Sequence, residues 1–166
     1  MKRLHRSTLI ATLAALTLGV GVAHADETEC YGRIDAVSID GDVKVPSGLA
    51  CTLAGTRVDG NVKVESGASL AAHDALIGGN VQAENHRAII LAGGAVGGSV
   101  QLKQGGGASI DGVDVKGDIQ LFENHGAQSV TNNRVDGNLQ CKSNRPAPTG
   151  GGNLVQGNKE DQCRYL

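Results

Sequence analysis

Aromatic residues are almost missing from this chain: Tyr31, Phe122 and Tyr165 are the whole set, and there is no tryptophan. Large rings normally supply much of the buried area of a globular core, so the interior must be filled by aliphatic side chains of modest size. The same shortage speaks against a sugar-cleaving cleft with stacked aromatic platforms. No apolar run approaches the ~20 residues that span a bilayer. The longest, from Leu9 to Val22, follows Lys2, Arg3 and Arg6 and leads into the small-x-small triplet Ala23-His24-Ala25. This is the pattern of a secretory signal peptide over residues 1–25, with the mature domain spanning 26–166. No cysteine follows the apolar run at once, so a lipid anchor is not expected. Positive charge is also short. With Lys2, Arg3 and Arg6 set aside, 12 of the 15 Lys+Arg remain against 17 Asp+Glu. That balance disfavours nucleic acid or an anionic membrane as partner.

What the chain has instead is glycine, 25 in all, together with many valines. They recur in a phrase of the form apolar-x-Gly-polar-apolar-x-apolar. It runs from Ile39 to Val45, Val58 to Val64, Ile77 to Ala83, Val96 to Leu102, Val115 to Leu121, Val135 to Cys141 and, in a more polar version, Val155 to Asp161. The central glycines, Gly41, Gly60, Gly79, Gly98, Gly117, Gly137 and Gly157, are spaced by 19, 19, 19, 19, 20 and 20 residues. Alternating apolar and polar positions within each phrase predict a strand with one buried face. One such strand cannot bury that face alone, whereas seven stacked in register bury a continuous column. The expected fold is all-β: a single-stranded parallel β-helix, or solenoid, of about seven coils and roughly 30–35 Å in length. Spacings of 19–20 with variable corners favour a right-handed coil over the left-handed hexapeptide type.

In-register stacking turns each repeat position into a column. Ile39, Val58, Ile77, Val96, Val115, Val135 and Val155 are expected to point inward, as are Val43, Val62, Val81, Val100, Ile119 and Leu139. Two columns are expected to point outward: Asp42, Asn61, Asn80, Ser99, Asp118, Asn138 and Asn158, and Lys44, Lys63, Gln82, Gln101, Gln120, Gln140 and Glu160. Stacked side-chain amides at the ~4.8 Å interstrand interval can form hydrogen-bonded ladders. Asn61, Asn80, Asn138, Lys63, Gln82, Gln101, Gln120 and Gln140 are therefore the candidate interaction face.

Cys30 and Cys51 are 21 residues apart and Cys141 and Cys163 are 22 apart, about one coil in each case. Pairing Cys30 with Cys51 and Cys141 with Cys163 joins adjacent rungs, whereas the other two connectivities would join opposite ends of a rod. Two disulfides agree with an oxidising compartment, periplasmic or secreted. Zinc is not expected, because no Cys/His set has ligand spacing. Lys159 and Asp161 put polar groups at inward positions of the last repeat and predict a cap at that end.

No set of residues reads as catalytic, and no cofactor or metal is called for. His86 and His125 sit in similar Glu-Asn-His triplets, a setting that could serve acid–base chemistry or metal binding. They lie two coils apart and one position out of step, so corner residues tolerant of unusual backbone angles are the simpler reading. Glycine runs such as Gly93-Gly94 lack the aspartate that calcium-stacked β-rolls place after them. The few threonines do not form the column an ice-binding face would need.

On the Val-x-Gly-Asn-Val-x-Val phrase of Val58 to Val64 and its repeats, residues 35–155 resemble the bactofilin-type, polymer-forming β-solenoids of bacteria. The resemblance implies a non-enzymatic scaffold and end-to-end self-association. The leader, the two cysteine pairs and the polar last coil depart from that pattern. The function expected is a structural or interaction protein of the cell envelope, meeting an envelope protein or polysaccharide through a rigid polar face. The alternative is a small glycan- or metal-binding module of the periplasm.

Overall fold

The computed structural model describes residues 27–166; the expected leader at 1–25 lies outside them, as does Asp26. Among the described residues there is no helix, and none is long and apolar enough to cross a membrane. The chain is a parallel β-solenoid of three sheets, to each of which every coil contributes one strand. The coils are numbered here by their central glycines. The first sheet stacks Glu27–Glu29, Asp42–Val45, Val62–Val64, Val81–Glu84, Val100–Lys103, Ile119–Phe122, Leu139–Lys142 and Lys159–Asp161. The second runs from Gly32–Ile34 through five-residue strands such as Ala50–Ala54 and Ala88–Ala92 to Thr149–Gly151. The third is built of two-residue strands, from Ser38–Ile39 to Leu154–Val155. All the pairings are parallel and join equivalent repeat positions, as in Val62 with Val81 and Val81 with Val100.

The repeat phrase is not one strand, as its alternation suggests, but two strands meeting at a corner. Arg57–Val58 closes the third sheet, the chain bends at Asp59-Gly60, and Val62–Val64 opens the first. Period-2 alternation persists because both strands still turn alternate residues inward. The glycine is required by close approach. A Cβ on Gly60 would collide with the Gly41 carbonyl and the Asp42 carboxylate of the coil before, and the same holds at Gly79, Gly98, Gly117, Gly137 and Gly157. Each of these glycine N–H groups instead donates to the preceding glycine carbonyl at 2.9–3.1 Å.

The interior is aliphatic. Val43, Val62, Val81, Val100, Ile119 and Leu139 are fully buried, with Leu53, Leu70, Leu91, Ile110 and Val130 facing them from the second sheet. Burying one Leu or Ile side chain is worth about 1.5–3 kcal/mol, so repetition replaces the missing rings. Cys30–Cys51 and Cys141–Cys163 are both formed, with Cα separations of 5.5 and 5.3 Å.

The two ends differ. Beyond Asp161 the chain turns back, burying Cys163 and packing Leu166 on the core. Gln162 closes the end by exchanging hydrogen bonds with Asn144. At the other end Glu27–Glu29, Gly32–Ile34 and Ser38–Ile39 each pair on one side only among the described residues, and Tyr31 and Val37 are exposed.

Candidate interaction face

The outward side of the first sheet carries the glutamine column as expected. The Gln82 amide donates to Gln101 Oε1 (3.1 Å), Gln101 to Gln120 (3.0 Å), Gln120 to Gln140 (2.8 Å) and Gln140 to the Glu160 carboxylate (2.8 Å). Parallel in-register pairing puts these side chains on one line; Gln101, Gln120 and Gln140 each spend one N–H and one acceptor site within the ladder, and Gln82 spends one N–H. The remaining N–H and lone pair of each rung face solvent, repeated at ~4.8 Å. The charge-assisted bond to Glu160 closes the series.

Lys63 extends this column toward the N-terminus in a different chemistry. Its ammonium lies 2.8 Å from Asp42 and 3.5 Å from Glu27, while Lys44 lies 2.9 Å from Glu27 and 3.0 Å from Glu29. The Lys63 ammonium, with the Asn61 N–H behind it, holds the Asp42 carboxyl below its usual range. Lys44 does the same for Glu27, and the hydrogen bond to Asp42 holds Lys63 above the ordinary lysine value. These groups are largely solvated, so the network shapes the surface potential and contributes little to stability. A shallow depression of about 330 Å³ lies across this part of the sheet, lined by Lys63, Glu65, Gln82, Glu84, Gln101 and Lys103.

Asn61, Asn80 and Asn138 do not belong to this face. They sit half-buried at the corner between the third and first sheets, with their side chains turned along the rod axis. Each Oδ1 accepts the backbone N–H of its equivalent in the next coil, as in Asn80 to Asn61 (2.9 Å) and Asn158 to Asn138 (2.8 Å). Asp42, Ser99 and Asp118 play the same part, giving an unbroken series of links at 2.6–3.0 Å. The bend that brings the glycines together leaves these N–H groups without a carbonyl partner, and a short side-chain acceptor one rung away supplies one. Their repetition thus meets a structural requirement of the corner.

The sequence reading missed two further ladders, both buried. At the corner between the first and second sheets, Asn124 Oδ1 accepts from the Gly105 N–H, Asn144 from Asn124, and Gln162 from Asn144, at 2.9–3.0 Å. Their amides donate back to interior carbonyls, Asn124 to Leu102 and Asn144 to Leu121. Between the second and third sheets, Asn133 and Asn153 repeat the device. The signal was present in the sequence as pairs of asparagines 20 residues apart.

His86 and His125 are not brought together. His86 is buried in the same corner column as Gly105 and Asn124, whereas His125 is exposed. Both triplets lie at a corner, where the left-handed angles fall on Asn85 (φ 53°), directly before His86, and on Glu123 (φ 58°), two residues before His125. Among the described residues no group of three or more His, Cys, Asp or Glu is placed to hold a metal ion. No family model, no curated protein and no solved structure matches this chain.

Proposed function

We propose that this protein is a non-enzymatic, exported structural or interaction protein of the cell envelope that docks a partner on the outward side of its first sheet. The observation that carries this reading is the continuous amide ladder from Gln82 to Glu160. It presents unspent donors and acceptors at a fixed interval on a rigid support, so a partner meets them without ordering flexible side chains first. The two disulfides accord with an oxidising location, periplasmic or secreted. An envelope protein or polysaccharide with regularly spaced polar groups is the fitting partner.

Site-specific photo-crosslinking in the native envelope tests this. Reactive side chains at Gln101 and Gln120 are expected to trap the same partner, and one at Ser109 on the second sheet is expected to trap none. Equal capture from both sheets, or capture at Ser109 alone, overturns the proposal.

Self-association, which the bactofilin resemblance implies, is favoured at one end only. Strand edges that pair on one side only among the described residues, beside exposed Tyr31 and Val37, suit pairing with another strand, while the Gln162–Leu166 turn obstructs the other end. Sedimentation is therefore expected to give nothing larger than a dimer joined through N-terminal coils; long filaments would contradict this.

A further inference from the structure

His86 is the one buried histidine among the described residues, 2% exposed, and neither ring nitrogen has a hydrogen-bond partner. Its ring lies where the next coil has Gly105, and a Cβ on Gly105 would fall on the imidazole. The next residues of the column, Asn124 and Asn144, fill the equivalent space with amides that bind both backbone neighbours. His86 fills it by shape alone. The backbone around it is zipped on both sides, with Arg87 N–H donating to Ala68 O, Asn85 N–H to Lys103 O, and Gly106 N–H to His86 O. Side chains around the corner that carry charge are Glu65 on the second coil, Glu84 and Arg87 on its own coil, Lys103 on the fourth and Glu123 on the fifth. All are exposed, and none hydrogen-bonds the ring.

We propose that His86 is an acid-sensitive latch between the third and fourth coils: the neutral ring seals the corner over Gly105, and the protonated ring leaves the interior and opens it. A buried imidazolium would bear most of the desolvation cost of its charge, with only the Ala83 carbonyl to offset it, whereas the same cation outside has the exposed carboxylates Glu65 and Glu84 on the same side of the corner. Burial holds the His86 pKa below the usual 6.5, a tendency that the nearby Ala83 carbonyl opposes only in part. The sign follows by linkage. The open state has the higher affinity for the proton, so closure is favoured fully above the ordinary histidine range and is lost as pH falls below it, down to the pKa of the closed state. Because His86 follows the strand that carries Gln82 and Glu84, opening would loosen the Gln82–Gln101 rung. As regulation of partner docking, the latch rests on the function proposed above; as a property of the fold, it does not.

Amide hydrogen exchange on the oxidised protein between pH 7.5 and 4.5, corrected for intrinsic chemistry, reads the latch directly. Protection at Asn85, Arg87 and Gly106 is expected to fall by about tenfold per pH unit once below the histidine range, with Gly137 and Gly157 unaffected. His86→Asn is expected to abolish that dependence. If this variant fails to fold, imidazole NMR of the unaltered protein decides, with the His86 ring expected to stay neutral until the pH lies below the ordinary histidine range. A His86 ring that takes up its proton within the ordinary histidine range, with unchanged protection in the third and fourth coils, overturns the latch. Normal exchange behaviour without any crosslinked partner would refute only the docking function.

Discussion

At the corner between the first and second sheets the early coils turn through Gly48 and Gly67, both in the left-handed region at φ 73° and 70°, with short bonds from Leu49 to Pro46 and from Ala68 to Glu65. From the third coil onward the left-handed residue moves one position earlier, to Asn85, Gln104, Glu123 and Ser143. The residue after it then faces inward, as His86, Gly105, Asn124 and Asn144. The early corners make a local bond beside those to the next coil, such as Gly67 N–H to Asn85 O; the corners of the fifth and sixth coils bury an amide, Asn124 or Asn144, that ties three coils together. Buried amide cross-links at this corner thus begin in the second half of the rod, with His86 and Gly105 holding the same position just before them.

Asn144→Leu should break the contrast most severely. It strips the Asn124 N–H and the Leu121 carbonyl of partners in the interior, and one to three kcal/mol for each orphaned group gives roughly 4 kcal/mol in urea unfolding. A loss below about 1 kcal/mol would mean that the buried ladder does not distinguish the halves. Removing the Cys30–Cys51 bridge by double alanine substitution should cost about 3 kcal/mol in the chain-entropy model. Exchange protection should fall first around Leu53 and Val58, while the coils around Asn124 and Asn144 hold. Uniform loss along the rod would erase the distinction.

Smaller changes sharpen it. Glu123 holds a left-handed backbone (φ 58°) and its side chain makes only an exposed bond, accepting from the Gln104 amide at 3.0 Å, so Glu123→Gly should raise stability by about 0.5–1 kcal/mol in thermal unfolding. Gly67→Ala should lower it by about 1 kcal/mol, since φ 70° there is tolerated by glycine and strained for alanine. Smallest of all is Gln101→Ala. An exposed ladder link should change stability by no more than about 0.5 kcal/mol, while crosslinking from Gln120 should drop if the amide series docks the partner.

Much of the fold was legible because repetition exposes register directly. Glycines at constant spacing fixed the number of coils, and cysteine separations of about one coil fixed the pairing. The corner was misread because alternation continues across it: Val58 and Val62 are both inward although they lie in different sheets, and period alone does not report a bend between them. The same ambiguity put Asn61, Asn80 and Asn138 on an outer face. A short polar side chain in a strand is ordinarily solvent-facing, and only the collision awaiting a Cβ on the neighbouring glycine shows that it is held along the axis. Gln82, Gln101, Gln120 and Gln140 were placed correctly because they lie within a true strand. The burial of His86 was not legible, since it depends on Gly105 in the following coil and on no neighbour in its own triplet.

The pairing of His86 with Gly105 also bears on a weakness of any repetitive stack. Asp42, Asn61 and Asn80 make near-equivalent corners, and Val43, Val62 and Val81 near-equivalent core positions, so a coil could settle one place out of order with its ladders intact. A slip that skipped the fourth coil would set the imidazole against Asn124 instead of Gly105, where a side chain already occupies its space. The ring and its missing neighbour therefore act as a registration mark, used once, which tells otherwise interchangeable coils which of them comes next.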